Sequence, residues 1–143
     1  MAFIIVIEDD TDMAEAVRLI LESNEHRILI RDNPASGVEE AEKNKPDLII
    51  LDVMFGRNQK TLGFDYAIEI RRNKYISSVP ILMITAVNMT YPNFNFSNKT
   101  DGEYLPVDGF IEKPVQPGDL IRKVNELLEM KTSPWVSWPE KKV

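Results

Sequence analysis

The sequence predicts an α/β fold, a doubly wound sheet of five parallel strands with helices on both faces. Three observations carry that expectation. Five short apolar runs alternate with amphipathic stretches along the 143 residues. The runs are nearly continuous in apolar residues, as in strands covered on both faces. The order strand-helix, repeated, implies parallel neighbours joined by right-handed crossovers.

The first strand is expected at Ala2 to Ile7, "AFIIVI". Asp10 should open the loop that follows, and Thr11 or Asp12 should cap the first helix. Met13, Ala16, Val17, Ile20 and Leu21 then line one helical face. Arg27 to Ile30 is the second strand. Asn33 and Pro34 start the second helix, with proline in the first turn where its missing N–H is harmless, and "AEKNKP" stops that helix before the third strand, Leu48 to Leu51. Phe64, Ala67 and Ile68 mark the third helix and Ile81 to Ile84 the fourth strand. A weaker fifth run, Gly109 to Ile111, precedes a last helix opened by Gln116 and Pro117, with Leu120, Ile121, Val124, Leu127 and Leu128 on its apolar face.

One repeat is degenerate. Ala86 to Pro106 contains two prolines and four asparagines where a helix is due. Pro92 inside such a helix would cost about 3 kcal/mol, so an extended or mobile loop is expected in its place. Its Tyr91, Phe94, Phe96 and Tyr104 would either cover the sheet or present a partner-binding surface. Residues 1–130 form the expected single domain, and 131–143 an irregular C-terminal tail.

Composition narrows the function classes. With 23 acidic against 17 basic residues and a net charge of -6, direct nucleic-acid binding is not expected. The chain has no cysteine, which excludes disulfides and thiolate chemistry, and with a single histidine, His26, a histidine-based zinc site or triad is not expected; His26 reads as an exposed residue before a strand. The opening residues carry no basic leader and no run long enough to span a membrane, so a cytoplasmic location without membrane contact is expected. On that basis the glycosylation-like triplets at Asn88, Asn95 and Asn98 are coincidental.

Ligands of open parallel sheets bind at the carboxyl ends of the strands. Those ends carry Glu8 and Asp9, then Asp52, Thr85 and Lys113. Asp52 closes "DLIILD", so a carboxylate ends a segment that otherwise looks buried on both faces and needs partners there. Three neighbouring carboxylates repel one another unless a hard cation takes up the charge. Oxygen donors without cysteine or histidine favour Mg²⁺, with Mn²⁺ as a possible substitute. A lysine and a hydroxyl facing a carboxylate nucleophile and a cation are the equipment of phosphoryl transfer.

The segments "IIVIEDD", "DLIILDVMF", "VPILMITA" and "GFIEKP" occur in this order across nearly all of residues 2 to 130. Together they resemble the receiver domains of bacterial two-component response regulators, which have a flavodoxin-like fold. The resemblance implies that Asp52 is the phosphoacceptor and that Asp9, Asp52 and the backbone carbonyl of Met54 bind Mg²⁺, with Glu8 acting through water. It implies that Thr85 and Lys113 bind phosphoryl oxygens, that Thr85 and Phe110 form the switch, and that the Lys113–Pro114 bond is cis. Asp9 lies 43 residues before Asp52 and the apolar strand ends at Ile7, so Glu8 and Asp9, rather than Asp10, are taken as the acidic pair.

The implied function is a phosphorylation-activated switch that takes its phosphoryl group from a sensor histidine kinase or a phosphotransfer protein and signals to a downstream protein. It is a phosphoacceptor that assists its own phosphotransfer and dephosphorylation, not a turnover enzyme. One rival is a phosphohydrolase with an aspartyl-phosphate intermediate, which needs an acid two residues after the nucleophile, where Met54 stands. The other is a phosphate-independent receiver-like interaction module. Two features depart from the family: the segment after Asp52 lacks its usual proline, and the interval from Thr85 to Lys113 is long.

Overall fold

The computed structural model describes residues 1–52, 62–85 and 107–131, of which 62–65, 85 and 131 by backbone alone. The elements run β1 (Phe3–Ile7), α1 (Thr11–Glu22), β2 (Arg27–Arg31), α2 (Pro34–Asn44), β3 (Leu48–Asp52), α3 (Leu62–Arg72), β4 (Ile81–Thr85), β5 (Gly109–Glu112) and α4 (Pro117–Lys131). The five strands form one sheet in the order β2-β1-β3-β4-β5. Every pairing is parallel. The expected α/β class and strand set are therefore observed. The segment from Ala86 to Pro106, with its expected loop, and the tail from 132 lie outside the described residues.

The sheet is wound on both faces. Ile5, Ile7, Ile49, Leu51, Ile81 and Met83 pack on one side with Val38 and Ala41 of α2 and Ala67 and Ile70 of α3. Ile4, Val6, Leu48, Ile50, Leu82 and Ile84 pack on the other with Val17 and Leu21 of α1 and Leu120, Val124 and Leu127 of α4. Successive residues of a strand face opposite sides, so strands covered twice must be apolar at every position. Each aliphatic side chain buried in this way contributes about 1.5–3 kcal/mol.

Three details differ from the sequence reading. The N-cap of α1 is Asp10, whose Oδ1 accepts the Met13 N–H at 3.1 Å, and not Thr11 or Asp12. All three residue types cap well; the extended backbone of Asp10 places the cap there. Ala14, not Ala16, is the small buried residue of α1. His26 is half-buried, and its Nδ1 accepts the Ala2 N–H at 3.1 Å. The other boundary signals hold: Asn33 Oδ1 accepts the Ser36 N–H at 2.8 Å ahead of Pro34, and α4 opens at Pro117.

Two further features fix the frame. Arg71, near the end of α3, forms a buried ion pair with Asp108 just before β5 and also donates to the carbonyls of Ser77 and Val79. Asp108 in turn accepts the Ile81 N–H at 3.0 Å, joining α3, β4 and β5 at the amino end of the strands. After α1 the chain reverses through His26 N–H to Leu21 O (3.2 Å) and Glu25 N–H to Glu22 O (2.9 Å), with Glu25 at φ 71°. This is a Schellman closure with glutamate in the left-handed position that glycine usually takes.

Candidate functional site at the carboxyl ends of the strands

Register brings the site together. Ile7 is paired with Leu51, and Asp52 with Ile84, so the residues that end β1, β3 and β4 stand level at one edge. Carboxylate oxygens of Glu8, Asp9 and Asp52 all lie within 4.8 Å of one another. Glu8 and Asp52 are each only 2% exposed, whereas Asp9 is exposed. Lys113, just past β5, places Nζ 3.3 Å from Asp52 Oδ2, and the Lys113–Pro114 peptide is cis. The β4 backbone ends at Thr85, in register with Glu112; the Thr85 side chain and all of Met54 lie outside what is described. Phe110, on β5, is half-buried against the core on the α2 and α3 face.

Glu8 is the unusual group. Its Oε2 accepts the Asp10 N–H at 3.1 Å, while Oε1 is buried with no hydrogen-bond partner. Its pKa is pushed up to about 9, chiefly because burial disfavours the charged form and further because the Asp52 carboxylate lies beside it. The Asp10 N–H and the Lys113 ammonium oppose the rise without cancelling it. Two buried carboxyl groups this close cannot both ionise without a positive charge between them. An orphaned buried oxygen, two further carboxylates and an all-oxygen donor set fit a hard divalent cation such as Mg²⁺.

Sequence reasoning missed the ground beside this cluster. A groove of about 380 Å³ runs from Glu8 and Asp9 past Thr11, Glu15, Arg31 and Asp32. Arg31 ends β2 and Asp32 follows it at the same edge, so the strand-end rule that found Asp52 applies to them equally. Arg31 also holds the site directly, because its carbonyl accepts the Glu8 N–H at 3.0 Å.

A family model described as the response regulator receiver domain matches residues 4–125. The chain belongs to that family. Among curated relatives of this receiver, the protein PilH of Pseudomonas aeruginosa is 26% identical over 90% of the chain and 98% of its own length. The response regulator ArlR of Staphylococcus saprophyticus is 30% identical over 90% of the chain but only 53% of its own length. The chain thus spans about half of ArlR, and nearly all of PilH. Among solved structures, the chemotaxis protein CheY4 of Vibrio cholerae superposes with a TM-score of 0.73 at 22% identity, covering 89% of this chain and 98% of that one. The signal receiver domain of a histidine kinase from Syntrophus aciditrophicus gives 0.74 at 23% identity, with 90% and 91% covered. Both share the receiver's flavodoxin-like fold. Among the described residues, no helix of the receiver is long and apolar enough to cross a membrane.

Proposed function

We propose that this receiver domain accepts a phosphoryl group on Asp52 from the phosphohistidine of a sensor kinase or phosphotransfer protein. The carrying observation is the setting of Asp52: 2% exposed at the end of β3, 3.3 Å from the Lys113 ammonium and within 4.8 Å of the Glu8 and Asp9 carboxylates. A carboxylate buried among acids is a poor structural element, because the cost of desolvating it exceeds what pairing with one lysine returns. The same set suits a nucleophile that attacks an anion.

In the transfer, an Asp52 carboxylate oxygen forms the new O–P bond as the N–P bond of the donor imidazole breaks, and the nitrogen keeps the bonding pair. Lys113, already at the Asp52 carboxylate, then binds a phosphoryl oxygen, and Thr85 at the end of β4 is assigned another. Glu8, Asp9 and Asp52 are the residues that would hold Mg²⁺, with the Met54 carbonyl assigned by the family resemblance alone. Bound there, the cation supplies the positive charge that lets one anion approach another. Phe110, packed beside Met83 on the neighbouring strand, is the proposed aromatic partner of Thr85 in signalling. Dephosphorylation assisted by the same residues returns the switch to rest.

Mg²⁺-dependent binding of fluoroberyllate, a mimic of the aspartyl phosphate, tests the reading. Saturable binding that disappears in Asp52→Asn is expected. Absence of binding in the wild-type protein would move the reading to a phosphate-independent interaction module.

A further inference from the structure

Helix α2 carries a glycine in its interior, where glycine is a weaker helix former than alanine. The reason is contact: a Cβ at Gly37 would stand 2.4 Å from Ile7 Cδ1 and 2.6 Å from Ile7 Cγ1. By contrast, a Cβ at Gly118, in the first turn of α4, would meet nothing within 4 Å. Ile7 is wholly buried, is the last residue of β1, and directly precedes Glu8. It is paired with Arg31 on one side and Leu51 on the other. A β-branched side chain in a close-packed interior has few rotamers to yield into.

A second link reaches the same residue. Glu40, one turn along α2 from Gly37, holds the Arg31 guanidinium at 3.0 Å. The Arg31 carbonyl accepts the Glu8 N–H, also at 3.0 Å. Helix α2 therefore bears on Glu8 through the residue before it and through the strand beside it.

We infer that the Gly37 and Glu40 face of α2 positions the acidic pair: Gly37 sets how closely the helix seats on Ile7, and Glu40 anchors the strand that holds the Glu8 amide. Neither residue touches the cation or the phosphoryl group. The inference rests on the reading of Glu8, Asp9 and Asp52 as the site of both. Groups that orient metal ligands in this indirect way typically alter affinity when replaced.

The test compares Gly37→Ala, Glu40→Gln and Gly118→Ala with the wild-type protein. The readouts are Mg²⁺ affinity, fluoroberyllate affinity and the amide resonances of the metal-free state, under conditions where each protein is folded. Gly37→Ala is expected to shift the Glu8 and Asp9 amides before any metal is added and to weaken Mg²⁺ about tenfold, whereas Gly118→Ala leaves both unchanged. Adding Ile7→Ala to Gly37→Ala removes both atoms met at 2.4 and 2.6 Å and should restore most of the affinity; a purely global loss of stability would not be repaired by trimming a core side chain. Should Gly37→Ala not fold, the double variant and Glu40→Gln carry the comparison. Wild-type Mg²⁺ affinity and unmoved Glu8 and Asp9 amides in folded Gly37→Ala, or in Glu40→Gln if Gly37→Ala does not fold, would overturn the inference. A wild-type protein that binds no Mg²⁺ counts instead against the reading of the site, and the metal-free amide shifts still decide the positioning claim.

Discussion

Lys113 Nζ stands 3.3 Å from Asp52 Oδ2, joining the end of β5 to the end of β3 across β4. The lysine is about one quarter exposed and the aspartate almost wholly buried. The lysine thus offsets the charge of Asp52 at rest and, in the proposed transfer, stands beside the carboxylate that takes the phosphoryl group.

Replacing Lys113 with alanine separates two roles. An ammonium gripping phosphoryl oxygens makes charged hydrogen bonds worth about 1.5–3 kcal/mol, so Lys113→Ala should bind fluoroberyllate about 10- to 100-fold more weakly. Mg²⁺ affinity in the unphosphorylated protein should hold or rise, because a competing positive charge has gone. Titrations of the two ligands check this. A large loss of Mg²⁺ affinity with fluoroberyllate binding preserved would refute the assignment.

Proton release should accompany metal binding. With the Glu8 pKa raised from 4.5 to about 9, the folded metal-free protein keeps a proton that the unfolded chain loses above about pH 4.5. The stability from that protonated carboxyl is therefore full below 4.5 and declines as pH rises toward 9. Mg²⁺ bound at this cluster would displace the same proton, so its affinity should increase with pH through this window. Calorimetry at pH 7 in buffers of different ionisation enthalpy should detect the released proton, and Glu8→Gln should abolish the release. Equal proton release in Glu8→Gln and wild type would place the proton elsewhere.

Glu25 holds a backbone conformation that costs a side chain about 1–2 kcal/mol at the end of α1. Glu25→Gly keeps both closing hydrogen bonds and removes the strain, so a stabilisation of about 1 kcal/mol is expected. Denaturant unfolding measures it. A destabilised Glu25→Gly would show that the glutamate side chain contributes more than its backbone costs.

Much of this protein was written locally. Apolar runs such as "LIILD" identify β3 because a strand covered on both faces has no position for a polar residue until it emerges. The polar residue that ends that strand is Asp52, still buried but at the edge of the sheet, and the same logic located Glu8, Asp9, Thr85 and Lys113 at strand ends. Asn33 before Pro34 marked a helix start because cap and proline act within one turn. The cap of α1 was ambiguous because Asp10, Thr11 and Asp12 all offer an acceptor oxygen, and only backbone torsions choose among them. Ala14 and Ala16 were interchanged for a related reason: residues two apart lie on opposing sides of a helix, and the packed neighbour decides which side is inner.

Sequence by itself determined the order of elements, the five parallel strands and the set of polar residues delivered to one edge, because periodicity and chain order are local properties. Tertiary structure alone decided the distances: Glu8 buried against Asp52 with one oxygen unpartnered, Lys113 beside Asp52, and α2 resting so closely on Ile7 that a Cβ at Gly37 would crowd it. Those depend on register between strands far apart in the chain and on how closely a helix seats on a sheet. No short stretch of sequence encodes either, since each results from the packing of the whole core.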